Sequence, residues 1–273
     1  MLYDQFPEDI AVQLFKSKAR EVAPQLQIDL DSIVPSFPPG IQATGLTIDN
    51  PKMRVMNADL FTVEPEWMSV VKLKPSLFFY CKGYDGELKG NLALSKIQAL
   101  WKKEPWPLIL DAKWRNIQLN KIEALKEMSG AVEGILYGLL SYEGVSDAWI
   151  DGSGTLKIII ENGNVTLAKP ILQAIKSIQF KRFDADFSFQ SKEIQLLQSN
   201  IDGDIEGSLS GTIMLHPVFM RSQINITGKI KPSENYIKKS KLPIKAFIQP
   251  DKLKNGIPVT LTGTIQQPVF NTM

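Results

Sequence analysis

The chain has 273 residues, 44% of them hydrophobic, and a formal net charge of +2 at pH 7. This length suits one large β domain or two ordinary domains, and the balanced charge argues against nucleic acid as a partner. The sequence contains a single cysteine, Cys81, and a single histidine, His216, which are too few for a zinc cluster or a disulfide. We therefore expect no metal, no cofactor and no enzymatic activity.

The first element in chain order is a helix over residues 7–20. Pro7 suits a first helical turn, Glu8 and Asp9 favour a helix N-terminus, and basic residues follow towards the other end. Alternation of apolar and polar residues then predicts strands, each bounded by Pro, Gly, Asn or Asp, over 40–49, 70–83, 86–94 and 107–119.

Two more helices are predicted between the strands, so the chain should contain at most three short helices. One covers residues 121–130 and ends at Gly130. The other covers residues 169–178, and its apolar face would carry Ile171, Leu172, Ile175 and Ile178. Between them, residues 154–168 predict a hairpin in which Asn162 and Gly163 form the turn.

The segment 201–215 has an apolar residue or a glycine at every odd position, and polar residues at the even positions as far as Thr212. A single strand of this length would extend roughly 50 Å, so we expect it to bend, coil or carry a bulge. Gly203, Gly207 and Gly211 remove bulk from the apolar face, which predicts strong curvature and open space above the sheet.

Two interpretations of this space stay open. Aromatic residues of the preceding strand would fill it, or it would form an apolar trough that holds lipid acyl chains. The residues predicted to line the trough are Phe183, Phe187, Phe189, Ile201, Gly203, Ile205, Gly207, Leu209, Gly211 and Ile213.

Charged residues concentrate in two places. Asp184, Asp186, Asp202, Asp204 and Glu206 alternate with the apolar positions, which is typical of a solvated sheet surface rather than a calcium or acid–base site. The second place is a predicted loop rich in lysine, which is either solvated or a contact for anionic lipid headgroups or an acidic partner. Its predicted contact residues are Lys229, Lys231, Lys238, Lys239 and Lys241, and Lys245 lies in the same segment.

The two residue types most often found in catalytic sites have structural explanations here. His216 precedes Pro217 at a strand end and is expected to be a turn residue. Cys81, inside "LFFYCKG", is expected to be a small buried hydrophobe.

Several segments carry a family resemblance: "GSGTLKIIIENGNVTL", "FKRFDADFSFQSKEIQLLQSNIDGDIEGSLSGTIMLHP", "SQINITGKIKP" and "GIPVTLTGTIQQPVF". With them the chain resembles the type II secretion system protein N family, which belongs to the wider AsmA-like group. The N-terminal "FPEDI" and "FPPGIQATGLTID" are similar to the region just after that family's membrane anchor. The resemblance implies a bacterial inner-membrane protein with a β-rich periplasmic body, and an anchor helix that would precede residues 1–20 and continue upstream of Leu2.

The sequence thus predicts a mainly β protein in which residues 1–273 form one periplasmic domain, with 150–270 the part most similar to the family. Its fold would be a single elongated, strongly curved antiparallel sheet. Two functions are open: an accessory component of type II secretion that acts through contacts with the machinery, or an AsmA-like protein that binds or transfers phospholipid. An outer-membrane barrel fits the alternation equally well, but 17 prolines and two internal helices argue against it.

Overall fold

The structure is a computed structural model. It describes residues 6–22, 26–37, 39–50, 54–71, 75–94, 105, 107–129, 132–171, 175–239, 251 and 255–272.

Within these residues the chain forms four α-helices, α1 (Glu8–Val22), α2 (Trp67–Val71), α3 (Glu123–Ser129) and α4 (Glu234–Lys239). The strands are β1 (Gln27–Asp29), β2 (Ser32–Ser36), β3 (Gly40–Asp49), β4 (Arg54–Pro65), β5 (Ser76–Gly83), β6 (Gly86–Leu94), β7 (Pro107–Gln118), β8 (Val132–Val145), β9 (Ser153–Ile171), β10 (Ile175–Gln190), β11 (Glu193–Gly203), β12 (Ile205–Met214), β13 (Gln223–Pro232), β14 (Ile257–Thr264) and β15 (Pro268–Thr272). Short 3₁₀ turns occupy Leu119–Lys121, Trp149–Asp151 and Phe219–Arg221.

All fifteen strands belong to one antiparallel sheet. From β3 to β15 each strand pairs with the next along the chain, and β1 and β2 lie one after the other along the outer edge of β3. This confirms the predicted mainly β fold and its single sheet. The helices at 7–20 and 121–130 are confirmed as α1 and α3, while Gly130 lies outside the described residues.

A cross-strand row of apolar and small residues runs across one face of the sheet from β2 to β10. Directly paired along this row are Ile33, Ala43, Phe61, Cys81, Leu88, Trp114, Gly138, Ile158 and Ala185. We call the side of the sheet that carries this row the apolar face. Helix α1 covers the N-terminal part of this face, where its residues Ala11 and Val12 pack against a cluster that contains Leu30 and Ile33.

Much of the apolar face is only half-buried. Leu156, Ile158 and Ile160 of β9 and Phe183 and Phe187 of β10 all keep partial exposure. The chain exposes 17109 Å², whereas a compact globular protein of this mass exposes about 12,000 Å². The excess surface is expected of a sheet that forms a single layer over much of its area.

The predicted helix over 169–178 is wrong. Residues up to Ile171 belong to β9 and those from Ile175 to β10, and residues 172–174 lie outside the described part. Ile171 pairs with Ile175, and Ile178 pairs with Val165. Isoleucine is β-branched and favours strands, so ladder hydrogen bonds to the neighbouring strand override a helical spacing only ten residues long.

The predicted hairpin over 154–168 is also wrong, because β9 continues through Asn162 and Gly163 without reversing. On the neighbouring strand β8, Glu133 pairs with Asn164 and Ile135 with Glu161, so two residues of β9 face Gly134 alone. This is a β-bulge. Asn162 has the positive φ of 52° that an Asn-Gly turn also uses, which explains why the local sequence suggested a turn.

The predicted single ribbon over 201–215 is two strands, β11 and β12, that reverse at Asp204. The Asp204 N–H donates to Gln179 O at 2.9 Å, and the Ser233 N–H donates to Asp204 O at 2.8 Å. Asp-Gly-Asp is typical turn chemistry, and its signal was hidden by the alternation on both sides.

Two smaller predictions also need correction. The strand predicted over 70–83 begins only at Ser76, because Val70 and Val71 end helix α2, and residues 72–74 lie outside the described part. With α2 and α4 the described residues contain four α-helices rather than three. Among the described residues, no helix is both long and apolar enough to cross a membrane.

Candidate functional site

We describe two cavities that residues of the apolar face line within the described part of the chain. The first, which we call the C-terminal cavity, has a volume of about 280 Å³ and an entirely apolar lining contributed by β9 to β15. Its lining residues are Ile160, Val165, Ile178, Phe180, Phe183, Ile201, Ile205, Leu209, Ile230, Val259 and Phe270.

The β-bulge in β9 and an adjacent irregularity in β10 build one wall of this cavity. Between Phe180 and Arg182 the register of β10 against β11 shifts, so Phe180 and Phe183 line the same cavity despite their odd spacing. Their rings meet edge to face, with centroids 6.4 Å apart and an interplanar angle of 68°. The Phe180 ring lies against Gly163, where any larger residue would clash, since a Cβ there would lie 2.0 Å from Cζ of that ring.

The second cavity, the N-terminal cavity, has a volume of about 390 Å³ and lies among β4 to β8. The Trp114 ring lies over Gly138, where a Cβ would come within 2.2 Å of the ring atom Cε2. The lining residues are Met56, Asn57, Phe79, Cys81, Gly83, Tyr84, Leu88, Leu110, Ala112, Trp114, Ile117, Ile122, Leu136 and Leu140.

The predicted open space above three glycines is wrong. A Cβ on Gly207 would lie 2.3 Å from Lys229 O, one on Gly211 would lie 2.2 Å from Asn225 O, and one on Gly203 would lie 2.3 Å from the Phe180 Cα. The backbone of the neighbouring strand therefore occupies the position of each missing side chain. These glycines allow close approach of strands and leave no room above themselves.

Of the remaining predicted lining residues, the structure brings four together in the C-terminal cavity: Phe183, Ile201, Ile205 and Leu209. Phe187 and Ile213 instead pack against a cluster formed by Ala185, Leu196 and Ile226, and Phe189 pairs with Ile194 of β11. Sequence reasoning missed the lining residues on β9, β13, β14 and β15, and also Ile178 and Phe180 on β10. Their alternation was visible, but which strands share a cavity depends on the tertiary arrangement.

The predicted lysine loop is not a loop where the structure describes it. Lys229 and Lys231 lie on β13, and Lys238 and Lys239 lie on α4, whereas Lys241 and Lys245 lie outside the described residues. Lys231 forms an ion pair with Glu206 at 3.4 Å, and Lys238 forms one with Glu234 at 3.7 Å. Lysines 229 and 231 alternate with Ile230, a buried residue of the apolar face, so the strand pattern explains their spacing.

Four of the five acidic residues lie on strands at positions that alternate with apolar ones, as predicted, whereas Asp204 lies in the β11–β12 reversal. Asp184 accepts a hydrogen bond from the Arg182 Nε at 2.8 Å, and Asp186 lies 3.6 Å from the Lys157 Nζ. Asp202, Asp204 and Glu206 line a polar pocket beside the β11–β12 reversal. Within the described part of the chain, no group of three or more His, Cys, Asp or Glu residues is arranged to hold a metal ion.

His216 serves the turn that follows β12. Its Nδ1 accepts a hydrogen bond from the Val218 N–H at 2.9 Å, and its own N–H donates to the Ser222 Oγ at 3.1 Å. The predicted turn role of His216 is therefore confirmed, and both contacts shape the connection between β12 and β13.

Cys81 is 5% exposed and belongs to the cluster under α1, which confirms its predicted burial. Burial raises the pKa of its thiol to about 11. We expect the folded protein to resist a thiol-specific disulfide reagent at pH 8, because the reactive thiolate is scarce and covered. Absorbance after mixing measures this, and denaturant should release full reactivity. Rapid labelling of native protein would contradict the buried position.

Comparisons of the chain with protein-family models, curated proteins and solved structures found no match. The resemblance to the type II secretion system protein N family stays a prediction.

Proposed function

We propose that the protein is a non-enzymatic lipid-binding protein that holds acyl chains against its apolar face. The observation that supports this most directly is the C-terminal cavity, in which every lining side chain is apolar. An acyl chain gains about 0.8 kcal/mol for each methylene that it buries, so contact with a few methylenes gives useful affinity.

The proposal includes a trough formed by curvature of the sheet. The strands that line the C-terminal cavity, β9 to β15, span six strand spacings, which is about 29 Å in a flat sheet. In a flat sheet, a cavity of about 280 Å³ would be too small to be lined by residues of both β9 and β15. Helix α3, only seven residues long, contacts both β4 and β9, which also supports a sheet that curls around its apolar face.

The close approach of strands at the glycines agrees with this trough. On the concave side of a coiled sheet, side chains of neighbouring strands converge, and glycine relieves the crowding. The room for a ligand therefore lies between the larger side chains of the cavities.

The cellular role in this proposal is periplasmic, with the natural chain anchored in the inner membrane, and it rests on the sequence resemblance alone. Under it the protein would be an accessory component of type II secretion. The alternative is a lipid-transfer protein that is not dedicated to secretion, and the apolar cavities favour lipid binding in either case.

The test is organic extraction of the protein purified without detergent from a bacterial periplasm, followed by mass spectrometry. We expect phospholipid in the extract in a fixed ratio to protein. Protein that is lipid-free, and that also fails to take up phospholipid from vesicles, would refute lipid binding. Stable co-purification of secretion proteins would favour the accessory role, and their absence with lipid present would favour transfer.

A further inference from the structure

Because the strands form a simple meander, their connections alternate between two ends of the sheet. The β2–β3 connection follows the pair Ser36–Gly40, and the β4–β5 connection follows the pair Pro65–Leu77 at the same end. The registers place the β8–β9, β10–β11, β12–β13 and β14–β15 connections at this end too. We call it the aromatic end and the opposite one the polar end.

The connections at the aromatic end expose large apolar side chains. The exposed residues are Phe37 (87%), Trp67 (53%), Met68 (64%), Trp149 (40%), Val218 (51%) and Phe219 (49%). In the described parts of the connections at the polar end, no large hydrophobic residue is comparably exposed. Large apolar side chains that are exposed together at one end of a protein are typical of contacts with another protein or with a membrane.

Buried serines hold Trp67 and Met68 in place. The Ser69 Oγ donates to Glu66 O at 2.5 Å, accepts the Ser76 N–H at 2.8 Å, and is screened from solvent together with Ser76. The Ser76 Oγ also donates to the Glu66 carboxylate. Helix α2 is therefore tied to the start of β5, and its two large apolar side chains remain outside the fold.

Two of the three other connections that carry these residues, β8–β9 and β12–β13, are fixed in the same manner. The Tyr142 hydroxyl donates to Trp149 O, and the Lys192 N–H donates to Ile150 O at 2.7 Å. In the β12–β13 connection, Ser222 is completely buried, and its N–H donates to Phe219 O at 2.9 Å. The Ser222 carbonyl oxygen accepts a hydrogen bond from the Ile265 N–H at 3.0 Å. Defined hydrogen bonds thus present these apolar side chains outwards.

We propose that the aromatic end docks onto the surface of a lipid bilayer, with Phe37, Trp67 and Phe219 inserted at the headgroup level. From the β2–β3 to the β12–β13 connection there are ten strand spacings, or roughly 48 Å measured along the edge of the sheet. A bilayer offers one continuous surface to every connection along that curved edge, whereas a protein partner would need a surface that follows the same curve. Tryptophan is enriched at membrane–water interfaces, and phenylalanine is, with tryptophan and leucine, typical of the apolar side of interfacial segments.

This inference extends the proposed function by naming the bilayer as the source of the acyl chains. The apolar face reaches the aromatic end, where Phe189, Ile194 and Ile213 form a directly paired row. A chain that leaves the bilayer there would meet apolar side chains without crossing water. Docking is measured by binding to vesicles and acyl binding by extraction of lipid, so one of them is able to fail while the other stands.

The test is flotation of the full chain with vesicles of phosphatidylcholine, whose zwitterionic headgroups minimise attraction to lysines. The variant combines Phe37→Ser, Trp67→Ser and Phe219→Ser. We expect the bound fraction to fall by about tenfold or more, since each large apolar side chain contributes about tenfold or more when it is fully buried. The matched control combines Leu139→Ser and Leu197→Ser, two residues that are 49% and 56% exposed on strands away from this end, and should float like the parent.

A second measurement uses the unmodified fold. Vesicles of phosphatidylcholine brominated on its acyl chains should quench the parent's tryptophan fluorescence, and Trp67→Phe with Trp149→Phe should remove most of that quenching. Quenching that is as strong in this variant as in the parent would show that Trp67 and Trp149 do not meet the bilayer and would reject the docking, while acyl binding, which brings lipid to Trp114 in the N-terminal cavity, stands. A parent that does not float, or a serine variant that floats equally well, also overturns the docking. Self-association that the serine variant abolishes, without vesicle binding, would make this end a contact between copies.

Discussion

Replacement of Gly207 by alanine is expected to destabilise the protein by about 1–3 kcal/mol or more. The new Cβ would lie 2.3 Å from Lys229 O and 3.0 Å from the Ile230 Cα, both backbone atoms of β13. Gly207 pairs directly with Ile230, so relief requires β12 and β13 to separate locally and weakens their ladder. Urea or thermal unfolding, followed by circular dichroism at a β wavelength, measures the loss.

The control for Gly207→Ala is Ser208→Ala, the next residue of β12. Ser208 is exposed on the polar face, where a small side chain is exchanged without new contacts. It should change the free energy of unfolding by no more than about 0.5 kcal/mol. If Gly207→Ala were as stable as the control, the result would support the open space predicted from the sequence. It would contradict the close approach of β12 and β13 at Gly207.

Replacement of Ile178 by tryptophan is expected to lower the lipid content of the purified protein by more than about tenfold. Ile178 lines the C-terminal cavity from a half-buried position, and an indole there would take up much of its roughly 280 Å³. Displacement of about three methylenes, at about 0.8 kcal/mol each, exceeds the 1.4 kcal/mol that corresponds to tenfold in affinity. Extraction and mass spectrometry, normalised to protein, gives the measurement.

The neighbouring variant Ser177→Trp is the matched control, because Ser177 is an exposed residue of the same strand and points to the opposite face. It should retain the lipid of the parent. Equal lipid in both variants would reject the C-terminal cavity as the site. If Leu110→Trp alone lost its lipid, while Asp111→Trp kept the lipid content of the parent, the binding site would be the N-terminal cavity, which Leu110 lines.

The sequence by itself determined the strand class and the faces of single strands. Predicted segments 40–49 and 86–94 coincide with β3 and β6, because alternation at period two is a local property of an extended chain with one apolar side. The same reasoning placed Phe183 on the apolar side and Asp184 on the solvated side of β10. Helix α1 was predicted because its N-terminal and C-terminal signals are also local.

Only the tertiary structure decided where strands bend, reverse and meet. Asn162–Gly163 has the chemistry of a turn, and the pairing of β9 with both β8 and β10 makes it a bulge. Asp204 interrupts an alternating run because backbone groups of Gln179 and Ser233, distant in sequence, bond to it. The gathering of Ile160, Val259 and Phe270 around one cavity likewise depends on how six strand spacings are arranged in space. Periodicity specifies a side chain's face on its own strand, whereas hydrogen bonds and packing between strands specify what that face meets.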